Sequence, residues 1–248
     1  LSARIHSTKK TLFQTMKDRP FCFAGDSQWT ASQAAVSGAA GGLPHKCIWY
    51  GCDTNVFRPR DRKLARDLLG LPQDGPVVLF GAENVRDRRK GGAYLEEAIR
   101  TLDIESLTAC TIGTGKPPEV ACEIVSLGYV DDPRLMSCFY SAGDVFVMPS
   151  LEEAFGQTAM EAQACGTPVV AFETGGIPDI VRHDQTGLLV PRADSAALSR
   201  AIRRLLDDPP LRKQLGANGR KLVEKEFTMH RQADDYVQLY QELLAHGN

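Results

Sequence analysis

The sequence lacks several features that would have settled its class at once. It has seven cysteines, an odd and scattered set (Cys22, Cys47, Cys52, Cys110, Cys122, Cys138, Cys165). They show none of the paired short spacings of a zinc site or a disulfide framework, so they read as half-buried thiols and a reducing cytoplasm fits best. Cys47 and Cys52 are close in sequence, but no Cys or His pair follows at ligand spacing, and no metal is expected. There is no apolar run near the ~18 residues needed to span a bilayer, and Leu1 to Lys10 is polar and basic instead of signal-like. There is no excess of one charge either. A formal net charge of -2 provides no overall basic field to draw the chain to nucleic acid or an anionic membrane, so any phosphate must be met by a local site. No internal repeat or low-complexity segment is apparent.

What is present is globular. A composition of 43% hydrophobic and 24% charged residues is close to the soluble average and argues against disorder. The 248 residues suit one large domain, or one domain and a piece of another. Leu1 to Lys17 reads as a helix, Phe21 to Ala24 as a short strand, Thr30 to Ser37 as a helix and Cys47 to Tyr50 as another short strand. A stretch of turn formers around Phe57 and Arg58-Pro59-Arg60 suggests a linker, which divides the chain into residues 1–58 and 59–248. From Val77 onward, buried strands alternate with amphipathic helices. Val77 to Phe80, Leu107 to Ile112, Asp144 to Met148, Pro168 to Phe172 and Gly187 to Val190 are apolar runs, with Gly91 to Leu102, Arg134 to Ser141 and Ala159 to Ala164 as helices. Val120 to Leu127 lies between the second and third of these runs. This alternation predicts an α/β fold with a doubly wound parallel sheet, whose ligands sit beyond the carboxyl ends of the strands. Three helices, at about Ala196 to Leu206, Pro210 to Glu226 and His230 to His246, close the chain.

The stretch Pro149 to Glu161 runs strand, loop, helix start, which is the geometry of an anion site. Backbone amides at Gly156, Gln157 and Thr158 are expected to lack intrahelical partners, and Gly156 has no Cβ to keep a phosphate from the main chain. A diphosphate fits there. Glu153 precedes the helix and Glu161 lies one turn into it, so one acid can approach the sugar side of the phosphates and the other the ribose side. Taken alone, the two acids read better as a solvated loop charge and a carboxylate paired with an arginine. Lys90, among Arg86, Arg88 and Arg89, is likewise readable as a solvated charge.

The flanking residues decide between these readings. Two glutamates separated by seven residues, with Phe155-Gly156 between them and Ala162-Gln163-Ala164-Cys165-Gly166-Thr167-Pro168-Val169-Val170-Ala171 after them, resemble the retaining glycosyltransferases of family 4, which have the two-lobed GT-B fold. The resemblance continues through Gly175-Gly176-Ile177-Pro178-Asp179, Gly187-Leu188-Leu189-Val190, Gly51 to Pro59 and Arg89-Lys90-Gly91, and covers nearly the whole chain. It implies that Glu153 hydrogen-bonds sugar hydroxyls with help from the Phe155 and Gly156 backbone, and that Glu161 holds the ribose hydroxyls. It also implies that Lys90 meets the donor phosphates, stabilising together with the helix amides the charge on a departing nucleoside diphosphate. Gly128-Tyr129-Val130 resembles the segment whose backbone meets the nucleobase, although glycine and tyrosine between elements also serve as turn and packing residues.

Two departures stand out. Many members of that family carry an arginine right after the glycine that ends the first strand, whereas Gly81 is followed here by Ala82 and Glu83, leaving Arg86, Arg88 or Arg89 as substitutes. The chain also starts with Leu, and nothing in it corresponds to the family's amino-terminal glycine-rich loop and histidine. His6 and His45 do not match that histidine. Residues 1–58 therefore read as a remnant of the acceptor lobe plus linker, and residues 59–248 as the donor-binding lobe. The expected function is transfer of a hexose-type sugar from a nucleoside-diphosphate sugar with retention of configuration, in which the donor is a substrate and no cofactor is needed. The chain as given is expected to bind donor but transfer poorly. An acceptor sugar or glycolipid would be held by the missing lobe, with peripheral membrane association of the full-length protein and a role in polysaccharide assembly as further expectations. The rival from another class is a noncatalytic module binding nucleotide or a partner protein. A nicotinamide dehydrogenase is disfavoured, because Gly113-Thr114-Gly115-Lys116-Pro117-Pro118 puts prolines where the helix should open. Nothing resembles the lysine with which glucan phosphorylases carry pyridoxal phosphate.

Overall fold

A computed structural model describes residues 2–16, 19–120 and 122–245. The sheet expected from the sequence is there. Its six strands are β3 (Val77–Asn84), β4 (Thr108–Thr114), β5 (Glu123–Ser126), β6 (Val145–Met148), β7 (Val169–Phe172) and β8 (Gly187–Val190), in the order β5-β4-β3-β6-β7-β8. Every pairing is parallel. The chain winds outward from β3 in one direction and from β6 in the other, so the gap between these two neighbours is the topological switch point of a doubly wound fold.

The central strands are buried on both faces, and the two-residue period of a strand divides their side chains between two cores. Val77, Leu79, Phe146, Met148, Val169 and Ala171 face α3 (Arg62–Leu69), α5 (Pro133–Ala142), α6 (Gln157–Ala164) and α9 (Pro209–Glu226). Val78, Phe80, Val145, Val147, Val170 and Phe172 face α4 (Gly92–Arg100) and α8 (Ser195–Asp207). The sequence reading leaves α3 unassigned. Its inward face carries Arg66, a charged residue only 2% exposed, while Leu64 and Leu68 are 70% and 64% exposed, so hydrophobicity points away from the true inner face. Arg66 is buried because its guanidinium donates to the carbonyls of Ala142, Pro72, Gln73 and Gly75 and pairs with Asp144 at 3.1 Å. The short α7 (Ile177–Ile180) was also unassigned.

The first part of the chain forms α1 (Ser2–Gln14), β1 (Phe23–Gly25), α2 (Gln28–Val36) and β2 (His45–Cys47), with β1 and β2 in a separate parallel pair. The second strand lies two residues earlier than the expected Cys47 to Tyr50, while Leu1, Lys17 and His246 lie outside the described residues. The last helix, α10 (Met229–Ala245), returns to this part. Gln232 accepts from the Gly51 amide at 3.0 Å and Glu242 pairs with Lys46 at 3.2 Å. Among the described residues no helix is long and apolar enough to cross a membrane.

Candidate functional site

Because β3 and β6 are parallel neighbours, the loops leaving their carboxyl ends meet at the switch point. The β3 loop carries Lys90 in a single turn of 3-10 helix (Arg88–Lys90). The β6 loop carries Pro149 to Gly156. The two are locked together: Leu151 donates its amide to the Arg89 carbonyl at 2.7 Å, and Gly91 lies so close to Pro149 that a Cβ would stand 1.8 Å from its carbonyl oxygen. Within this frame the Lys90 ammonium meets the Glu153 carboxylate at 2.8 Å, with side chains 31% and 16% exposed. Two candidates 63 positions apart are thus brought into one ion pair.

The loop after Glu153 is held from behind. Gly175 has φ of +53° and a Cβ there would lie 1.8 Å from the Glu153 carbonyl oxygen, so only glycine allows the approach. The amide of Gly176 donates to that same carbonyl at 3.0 Å. From the amino-terminal part, Ser27 donates its hydroxyl to the Ala154 carbonyl at 2.6 Å, and Asp179 accepts from the Gln28 amide and the Trp49 indole, both at 2.8 Å. Phe155 is 1% exposed and packs its ring against Tyr50 and Phe227, which leaves only its backbone to face a ligand.

Gly156, at φ +105°, caps α6 with no side-chain hydrogen bond. The Gly156 carbonyl accepts from Ala159 and Met160. Among the described residues the amides of Gly156, Gln157 and Thr158 have no acceptor, which gives the unsatisfied, partially positive helix end that binds anions. Glu161 reaches α5. Its partner there is not an arginine but the Tyr140 hydroxyl, which donates at 2.7 Å. Burial pushes the Glu161 carboxyl up to about 7, against the opposing pull of that hydroxyl, and burial holds the Tyr140 phenol well above its usual range. Tyr140 escaped the sequence reading because it lies 21 positions from Glu161 and reads as an ordinary core aromatic.

The remaining candidates flank this centre. Gly128, Tyr129 and Val130 follow β5, where the Gly128 carbonyl accepts from Gly113 at 2.8 Å and Tyr129 is 63% exposed. Of the arginines considered as a second phosphate cation, Arg86 is committed to the Lys116 and Pro117 carbonyls and to Glu96. Arg89 is paired with Asp87 at 2.7 Å. Arg88 is exposed and has no acidic partner among the described residues. Burial pushes the Cys52 and Cys165 thiols up to about 12, so neither supplies a thiolate. Among the described residues no group of three or more His, Cys, Asp and Glu is placed to hold a metal ion.

Known proteins resemble this chain over the region that contains these residues. The model of the family described as glycosyl transferases group 1 matches residues 66–222. A D-inositol 3-phosphate glycosyltransferase of Streptomyces bingchenggensis is 35% identical over 71% of this chain and 43% of its own length. One from Acidothermus cellulolyticus is 37% identical over 66% of this chain and 41% of its own length. The chain spans about half the length of the curated relatives it matches. Among solved structures, sucrose-phosphate synthase from Thermosynechococcus elongatus superposes with a TM-score of 0.82 at 31% identity, covering 96% of this chain and 62% of that one. The C-terminal domain of a group 1 glycosyl transferase from Francisella tularensis aligns over its whole length with 72% of this chain, with a TM-score of 0.63 and 26% identity. An Anabaena protein, HepE, solved with UDP and glucose, shares the fold with a TM-score of 0.82 at 20% identity over 96% of this chain and 67% of that one.

Proposed function

Because the chain belongs to the glycosyl transferases group 1 family, we propose that it is the donor-binding part of a retaining, family 4 glycosyltransferase that takes a hexose-type nucleoside-diphosphate sugar. The observation that carries this reading is the meeting, at the β3/β6 switch point, of the Lys90–Glu153 ion pair with the unpaired start of α6, with Glu161 one turn further along that helix on the Tyr140 side. The diphosphate lies against the amides of Gly156, Gln157 and Thr158. Glu153 faces the hexose, and Glu161 accepts from the ribose hydroxyls. A cation and oriented amides at the leaving diphosphate stabilise the charge that grows as the glycosidic bond breaks, which is the catalytic work of this lobe. Tyr129 and its neighbours meet the base. The acceptor, a sugar or glycolipid, is held by a second lobe. On this reading the donor is consumed as substrate, no cofactor or metal takes part, and the work is done at the cytoplasmic side in polysaccharide or glycolipid assembly. Without that lobe, binding outruns transfer.

Calorimetric titration with UDP-, GDP- and ADP-sugars tests the reading. One of them binds, and Glu161→Ala weakens it by a factor of roughly ten or more, the worth of hydrogen bonds to a charged group. Unchanged affinity in that variant removes the ribose role, and rapid glycosylation of an added acceptor by this chain alone removes the statement about transfer.

A further inference from the structure

We infer that the Lys90–Glu153 ion pair discriminates between the nucleotide-sugar donor and the nucleoside diphosphate left behind, so that product is bound less tightly than donor. The inference rests on the proposed donor reading and names a property that reading does not contain. In the structure the two groups satisfy each other at 2.8 Å. The Leu151 to Arg89 hydrogen bond of 2.7 Å joins the two loops, and Gly91 packs closely on Pro149, so parting the backbones would break these contacts. A ligand must therefore divide the pair by moving side chains.

The two possible ligands do so with different consequences. A nucleotide sugar offers phosphate oxygens to the lysine and hydroxyl donors to the glutamate, so each group exchanges one partner for another. A nucleoside diphosphate offers only the first. It draws Lys90 away and leaves Glu153, largely shielded from solvent, without its cation and close to the terminal phosphate, where like charges repel. The neighbouring cations compensate only in part: Arg86 is held by the Lys116 and Pro117 carbonyls and Glu96, Arg89 senses the Glu153 charge but is paired with Asp87, and Arg88 is exposed to solvent. The sugar hydroxyls are thus required for full occupancy, and their departure with the transferred sugar weakens the hold on what remains.

The experiment compares UDP with UDP-glucose, GDP with GDP-mannose and ADP with ADP-glucose by calorimetry, in the unaltered chain, Glu153→Gln, Lys90→Met and the double variant, with thermal melting to verify folding. For the pair that binds, Glu153→Gln is expected to tighten the nucleoside diphosphate by roughly two- to fivefold, the scale of a partly exposed ion pair, and to erase the preference for the sugar form. In the Lys90→Met background the same substitution gains less, because no ion pair is then broken and only the repulsion between Glu153 and the terminal phosphate is relieved. If Glu153→Gln leaves the nucleoside diphosphate unchanged or weaker while the unaltered chain binds the donor, or if the gain is equal in both backgrounds, the inference is overturned and the donor reading stands. Failure of the unaltered chain to bind any of the three pairs takes down the donor reading and this inference with it.

Discussion

Glu161 is a group that the fold holds at its own expense, and replacing it with glutamine should raise stability in a pH-dependent way. The carboxyl is raised from 4.5 to about 7 by burial, so the native state holds its proton more tightly than the unfolded chain. A raised carboxyl of this kind contributes stability that is fully present below about pH 4.5 and is lost as pH rises through about 7. Two and a half pH units at about 1.36 kcal/mol each would amount to roughly 3 kcal/mol. Glu161 is only half-buried as a whole residue, and water at its exposed part reduces this to roughly 1.5–2 kcal/mol. Glutamine mimics the neutral acid and keeps an acceptor for the Tyr140 hydroxyl. The assay is urea unfolding of both proteins at about pH 4, below the unfolded-state value, and at about pH 8. Near the lower pH the two should be equally stable within a few tenths of a kcal/mol, and near the higher one Glu161→Gln should exceed the unaltered chain by the amount above. A stability difference that does not change with pH would refute the reasoning, since every other titrating group is common to both proteins.

Two further substitutions probe the frame. Gly175→Ala places a Cβ 1.8 Å from the Glu153 carbonyl at a φ of +53°, so the loop must shift; we expect donor affinity to fall by roughly tenfold or more with a stability loss of about 1–2 kcal/mol, read by calorimetry and melting. Asp144, 2% exposed in its side chain, pairs with Arg62, Arg66 and Arg212 at 2.6, 3.1 and 3.1 Å and accepts from the Val77 amide at 2.8 Å. Asp144→Asn leaves buried guanidinium charge uncompensated and should lower unfolding free energy by about 3–5 kcal/mol, and a loss below about 1 kcal/mol would contradict that role.

The sheet was legible in the sequence because strands buried on both faces are continuous apolar runs, and runs such as Val169 to Phe172 allow no other placement. The loop after β6 was legible because a glycine at a helix start flanked by acids combines local chemistry with local geometry. What lay beyond reach was long-range pairing. Nothing near Glu161 in the chain indicates that its partner is Tyr140, and nothing near Lys90 indicates that it faces Glu153 and not solvent. The helix α3 was hidden for a related reason: Arg66 is made tolerable in the core by carbonyls from the 72–75 turn and by Asp144, contacts that no periodicity encodes. The Ser27 and Asp179 contacts that fasten the amino-terminal part onto the donor loop are equally silent, since each residue reads as an ordinary helix-cap or turn former.

A crystal structure of the chain with the nucleotide sugar that binds in titration tests the central claim most directly. The diphosphate should lie within hydrogen-bond reach of the Gly156, Gln157 and Thr158 amides, with the ribose on Glu161, the hexose on Glu153 and Lys90 turned from the glutamate to the phosphates. A nucleotide bound elsewhere on the domain, with the α6 amides still facing only water and the Lys90–Glu153 pair intact, would contradict the account.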